Sequence, residues 1–580
     1  MLGPRRGHAA AVRRSLCFVL VFAACRTPAV PTELQPPAVP LVVRLPAGTM
    51  LRPVLAASVP DELRWRAAAI WWREALRQTV AFGLDETGHG GAVVELTIDP
   101  QSQSLAAFLK QDGTERALAG GSFASMPLPA AIDRLAWSVR RALGEEVSAP
   151  IPVAACTSAD IEVVVAVEEA MALLRTGAVK RAHEALRGAR ARDGAAPYVL
   201  ECLASVELMR ANLDDAERIC REALAYESRQ HPTVQHRLLR TMLLTRSSLR
   251  PLEAARHDRE LLVLGETGHR ERPFDWQPQF TRAIAHNFLG DFAKALPLLQ
   301  ALRASQPDQA MVAYHLGWAC LGTGDAKAAV REFEHAATRL PPTWVTVPRA
   351  IALYEAGQHE ELEALLKTLL AEPGAAESPV AYDIHRMQAA HALLRGDLDK
   401  ARMLILVDLN WLAKHPSALE NRGGEFAEQC AVLVRLGGGS DLPALLQTIQ
   451  SQHSTTAVAD ACAFAGGLVE VAARRERNTA VEARLGHGGD SVWSALLAAF
   501  AHEVRGEVAD MQTELARAAR LSASPMTKTL LARGLRATGK REEAERLQQA
   551  LRTEMQAIYL RRRSEHPLLG PELAFAFRAE

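Results

Sequence analysis

At 580 residues the chain exceeds the reach of one hydrophobic core, so several domains or a repeat array are expected. Basic and acidic side chains balance at 67 each, which argues against nucleic acid as a partner, since such proteins carry a net basic footprint. Alanine and leucine dominate an apolar fraction of 48%, while aromatics make up 5%, a texture that favours helices over sheets.

Arg5, Arg6, Arg13 and Arg14 precede a short apolar run from Leu16 to Ala24. A membrane-spanning helix needs about 20 residues, so this run is too short to span. A positive flank before a short apolar core predicts a cleavable export leader over residues 1–24. Phe22-Ala23-Ala24-Cys25 then resembles the lipobox of bacterial lipoproteins, with phenylalanine where leucine is usual. That resemblance implies a lipid on Cys25 and a membrane contact through this anchor. It places the protein on the periplasmic side of a bacterial envelope, as an outer-membrane lipoprotein; a cytoplasmic location is the alternative. Residues 25–40, with Pro28, Pro31, Pro36, Pro37 and Pro40, predict an extended tether.

Residues 41–150 read as a small α/β domain in the order β-α-β-β-β-α. "LVVRLPA" predicts a strand and Asp61 to Leu84 a helix. "GAVVELTIDP", "SLAAFLKQDG" and "ERALAGGSFA" predict three strands, with turns at Asp99-Pro100 and Asp112-Gly113. "PAAIDRLAWSVRRALGEE" closes the domain as an amphipathic helix. This order resembles the TolB amino-terminal-like domain, which implies a binding role.

From 158 to 560 the chain repeats. Ala182 recurs as Ala216, Gly290 as Gly324, Ala295 as Ala329 and Pro307 as Pro341, each 34 residues on. Turn glycines return at Gly357, Gly396, Gly506 and Gly539. Small residues (Ala170, Ala204, Ala283, Gly317, Ala350, Ala389) stand where a first helix must approach its partner, and alanines (Ala182, Ala216, Ala295, Ala329, Ala401, Ala544) stand midway along the second. These features resemble the tetratricopeptide repeat (TPR). The resemblance implies a mostly α fold, a right-handed α-solenoid of helical hairpins, preceded here by the small α/β domain. The period drifts over 231–270 and 411–490, and residues 561–580 read as a cap or tail.

Nothing in the sequence carries catalytic chemistry. "GLRATGKR" nearly matches a phosphate-binding loop, but Arg541 stands where the magnesium-holding hydroxyl belongs and no strand precedes it. The eight cysteines form no CxxC pair, and the histidines form no HExxH. A non-enzymatic scaffold without metal or cofactor is expected, binding a protein or peptide partner. In tetratricopeptide arrays the first helices line the concave groove, and that resemblance places Phe280, Asn287, Tyr314, Trp318, Trp344 and Tyr354 near it. A cytoplasmic sensor related to the repeat regions of bacterial signalling kinases is the alternative function.

Overall fold

The computed structural model describes residues 45–46, 49–59, 62–84, 92–145, 151–175, 178–210, 212–226, 229–250, 253–340, 342–371, 379–415, 419, 423–452, 456–474, 491–522 and 525–562. The expected leader, Cys25 and the tether lie outside the described residues, as do residues 563–580 of the expected tail. The chain divides into two compact units, with the sequence boundary at Ile161 and Glu162.

The first unit runs β1 (Met50–Leu55), α1 (Leu63–Leu76), β2 (Gly83–Leu84), β3 (Ala92–Asp99), β4 (Ser104–Gln111), β5 (Thr114–Ser122), α2 (Leu128–Ala142) and the short α3 (Val153–Cys156). Its five strands lie in the order β2-β1-β3-β4-β5, with β1 parallel to both neighbours and β3, β4 and β5 antiparallel. Side chains alternate across the pleat, so Val94 and Leu96 of β3 and Leu105, Ala107 and Leu109 of β4 are buried. α1 packs on β1 and α2 on β4 and β5, and the Trp72 indole N–H of α1 donates to the Val94 carbonyl at 3.2 Å. The β4–β5 turn holds Asp112 and Gly113 at φ 50° and 74°, the paired left-handed geometry of a tight hairpin.

One expectation lies largely outside the described residues and one needs correction. Among the described residues the first strand is Met50–Leu55; of "LVVRLPA" only residues 45 and 46 are described, without regular structure. Pro53 lies inside β1 and costs no ladder bond to β3: the Ala56 N–H donates to Leu96 of β3 at 2.9 Å, so by alternation position 53 turns to the other side, toward β2, whose described residues pair with Met50 and Leu51. The first helix also ends at Leu76, short of Leu84, and the chain returns to the sheet as β2. Glu145, just past α2, holds that turn: it accepts from Thr79 Oγ1 and the Val80 N–H, each at 2.9 Å, and from Arg140 through two bonds of 2.9 Å.

The second unit is a solenoid of helical hairpins. Its first part comprises α4 (Ile161–Arg175), α5 (Val179–Arg192), α6 (Pro197–Met209), α7 (Leu213–Leu224), α8 (Pro232–Leu249), α9 (Ala254–Glu271), α10 (Trp276–Leu289), α11 (Phe292–Ser305), α12 (Ala310–Gly322) and α13 (Ala326–Ala337). It continues through α14 (Pro342–Glu355), α15 (His359–Leu370), α16 (Pro379–Arg395), α17 (Leu398–Lys414), α18 (Gly423–Arg435) and α19 (Leu442–Gln452). α20 (Thr456–Arg474), α21 (Val492–Arg505), α22 (Val508–Leu521), α23 (Pro525–Ala537) and α24 (Arg541–Arg562) follow. From α6 to α17 each even-numbered helix pairs with its successor, and each second helix then meets the next first helix. First helices α6, α8, α10, α12 and α14 also touch one another in sequence, which makes them one continuous row.

The small residues explain this packing. Ala170, Ala204, Ala283, Ala350 and Ala389 of the first helices are fully buried, and so are Ala182, Ala216, Ala295, Ala329, Ala401 and Ala544 of the second. A methyl placed on Gly317 of α12 would stand 2.7 Å from the Phe333 ring of α13, closer than side chains tolerate. The turn glycines sit in the left-handed region, Gly290 at φ 80° and Gly324 at 87°. Asp325 and Asp397 then cap the second helices, accepting from the N–H groups of Ala328 at 2.9 Å and Lys400 at 3.1 Å. Where the period drifts, α18 packs directly on α20, and an ion cluster joins distant helices. Glu503 of α21 lies 2.8 Å from both Arg435 of α18 and Arg533 of α23. Among the described residues no helix is long and apolar enough to cross a membrane.

Two carboxyls of the first unit titrate in opposite senses. Burial alone would raise Glu145, but Arg140 and the turn donors outweigh it and hold the group below its usual range. Its contribution is therefore full above the ordinary glutamate value and is lost as pH falls through the lower folded one. Glu145→Gln leaves the buried Arg140 without its counter-charge and should cost about 3 kcal/mol, read as faster hydrogen exchange across α2 at neutral pH. Burial pushes Asp133 up to about 7, only partly offset by the Val153 N–H, so the fold takes up its proton and loses stability as pH rises from about 4 to about 7. Asp133→Asn keeps an acceptor for Val153 and should flatten that slope in the same exchange measurement.

Candidate functional site

The structure separates the six residues expected at the groove. Phe280 and Asn287 of α10 and Tyr314 and Trp318 of α12 are buried, with Asn287 and Trp318 at 0% exposure. Asn287 spends its amide on the His315 carbonyl of the next first helix at 2.9 Å, an inter-repeat bond. Tyr314 and Trp318 both stand edge-on to Phe333, with centroids 6.0 and 5.7 Å away. These four build the core between repeats and offer no free side-chain surface as anchors. The reason is that α12 is apolar on every side, so projecting one of its faces outward fails. Trp344 and Tyr354 of α14 are half-buried, which leaves part of each ring accessible on the row. Tyr354 lies edge-on to His391 of α16 at 6.4 Å.

A cluster that the sequence did not announce lies beside these residues, where α6, α8 and α10 meet. Arg237 of α8 donates to Glu201 of α6 at 2.8 Å. Arg272, in the turn before α10, donates to Asp275 and to Thr233 Oγ1, each at 2.6 Å. Arg240, one turn along α8, donates to the side-chain Oε1 of Gln277 at 2.5 Å and stands 5.8 Å from the centroid of Phe280. Among the described residues no carboxylate lies within ion-pair distance of Arg240. Arg237 and Arg272 thus hold Glu201 and Asp275, Glu271 also acts on Arg272, and Arg240 is held by a neutral amide and an aromatic ring.

Burial is the main cause that brings Arg240 down to about 10; Glu201 and Asp275 pull it up and Arg237 pushes it down. His236 is pushed down to about 2, first by burial and then by Arg240, Arg272 and Arg237, so it stays neutral and bonds Thr281 Oγ1 at 2.9 Å. Its ring packs so closely on α9 that a methyl on Gly268 would come within 2.9 Å. Arg240 offers its guanidinium beside the Phe280 ring to an anionic group.

Other reactive groups are spent structurally. The six cysteines among the described residues are free and buried, and burial pushes the Cys220 thiol up to about 12. His502, Glu507 and Asp510 come close enough to share an ion, but Arg505 already holds Glu507 at 2.8 Å.

The arginines should respond differently to substitution. Arg237→Gln strips Glu201 of its counter-charge and should cost about 3 kcal/mol in thermal melting. Arg240→Gln strands no hydrogen-bonded carboxylate and should cost clearly less in melting than Arg237→Gln. Equal losses from the two would make Arg240 a structural residue.

Residues 280–343 match the tetratricopeptide repeat family model. A search of curated proteins found no match. Among solved structures, a human IFIT1 dimer with PPP-AAAA is 15% identical, covering 66% of this chain and 89% of that one, with a TM-score of 0.32. Yeast Tom70 is 12% identical, with 70% of this chain and 97% of that chain covered and a TM-score of 0.29. The P58(IPK) TPR domain is 12% identical over 67% of this chain and 98% of that one, with a TM-score of 0.18. The repeat spacing, the buried alanines and the left-handed turn glycines agree with that match, so residues 280–343 carry tetratricopeptide repeats.

Proposed function

We propose that the chain is a non-enzymatic scaffold that receives a segment of a partner protein on its first-helix row, around α8, α10 and α12. We propose further that it works exported, held at a bacterial envelope through a lipid on Cys25. The observation that carries the binding reading is Arg240, a half-buried cation set beside the Phe280 ring, with no carboxylate within ion-pair distance among the described residues. An acidic side chain on an incoming segment would supply the counter-charge, and its apolar neighbours would find the accessible edges of Trp344 and Tyr354. Supporting the anchored location are the basic flank, the short apolar core and Phe22-Ala23-Ala24-Cys25.

Short displayed peptides selected on the full chain should converge on acidic residues flanked by apolar ones. They should bind Arg240→Gln about tenfold more weakly. Enriched peptides that bind both proteins equally would overturn this placement of the site. For the anchor, a palmitate analogue should label the wild-type chain in bacterial cells and leave Cys25→Ser unlabelled. An unlabelled chain that keeps its leader in the cytoplasm would favour the regulatory alternative instead.

A further inference from the structure

Two histidines meet between α15 and α16. His359 Nδ1, at the start of α15, stands 3.2 Å from His391 Nε2 on α16, with ring centroids 5.1 Å apart. His391 is 3% exposed and His359 is half-buried, so the pair reaches solvent on the His359 side. The Tyr354 ring of α14 lies 5.8 Å from His359 and, edge-on, 6.4 Å from His391. Behind the pair, Glu363 of α15 places Oε1 3.6 Å from the other His391 nitrogen, Nδ1. Arg395 and Lys400 flank the same oxygen at 3.9 and 3.8 Å. The two histidines are 32 residues apart and on successive hairpins, so no local ligand motif marks them in the sequence.

The geometry points to a zinc site: His359 Nδ1 and His391 Nε2 bind one ion, with two coordination positions left to water. An ion about 2.0–2.1 Å from each nitrogen would see the pair at about 100°, close to tetrahedral, with their separation unchanged. A histidine that binds a metal through one nitrogen carries its proton on the other, and a carboxylate placed there fixes that tautomer. Glu363 occupies this place for His391. In the hydrogen-bonded pair His359 Nδ1–H is then the donor to His391 Nε2. A bound ion takes the place of that proton, and His359 carries its own on Nε2 instead. Imidazole suits zinc and its neighbours among the transition metals, whereas magnesium and calcium demand oxygen ligands that this pair does not offer. Because the ligands come from successive hairpins, the ion pins α15 to α16. None of this uses the arginine cluster or Cys25, so the site stands apart from the scaffold reading.

The test titrates the full chain with zinc chloride in a calorimeter, and with cobalt(II) chloride while visible absorption is recorded. The wild type should bind one zinc ion more than His359→Gln does. Cobalt in the wild type should show the intense visible bands of tetrahedral coordination, which His359→Gln lacks. Glu363→Gln, at an exposed carboxylate, should keep the ion and bind it about tenfold more weakly. His502→Gln, in the other cluster close enough to share an ion, should leave the extra zinc in place. Equal zinc uptake by the wild type and His359→Gln overturns the proposal, as does uptake that only His502→Gln removes. Weak octahedral bands overturn the tetrahedral geometry. An unchanged affinity in Glu363→Gln removes the role given to that carboxylate, and where His359→Gln fails to fold it overturns the site itself.

Discussion

The close approach of paired helices governs the second unit. At each crossing one or both helices present a side chain no larger than a methyl, and these alanines have no exposed surface. Gly317 is the limiting case, since even a methyl there would enter the Phe333 ring. That contact fixes Phe333, which in turn sets Tyr314 and Trp318 edge-on around it. Tight pairs let each first helix reach the next first helix directly, so α8 lies against α10 and the arginine cluster can assemble. A bulkier crossing residue would propagate through all of these, because packed interiors transmit strain instead of absorbing it.

The repeat was legible because its requirements are local. A left-handed turn needs glycine, a crossing needs a small residue and a helix start wants an aspartate, so each leaves its mark at a fixed spacing. The fates of the aromatics were not legible. Periodicity assigns Trp318 to a helix, but α12 is flanked by α11, α13 and neighbouring first helices, so it has no open face for that position to occupy. Trp344 and Tyr354, nearer the ends of α14, keep partial exposure under the same register. In the first unit, Pro53 sits inside β1 on the side turned away from β3, and which side a strand position faces is tertiary information.

The arginine cluster was hidden for a different reason. Arginine supplies most of the basic residues in this chain, with nine lysines among 67, so no single arginine stands out by composition. Its meaning depends on counting the carboxylates within reach, which come from α6 and from the turn before α10. The first unit shows the opposite arrangement: Arg140 and Glu145 are both nearly buried and fully matched, and they fasten α2 to the turn after α1. A matched buried pair holds a fold together, whereas an unmatched buried cation stores a binding preference.

The contact between α24 and the middle of the array also orders assembly in time. Helical hairpins form from residues close in sequence, so the pairs from α6 to α17 can fold as they emerge from the ribosome. α24 closes a loop of several hundred residues and must be made last. Until then α8, α10 and α12 lack that contact. The nascent chain therefore passes through an interval in which these helices are already paired with their neighbours while their long-range contact with α24 is still to be made.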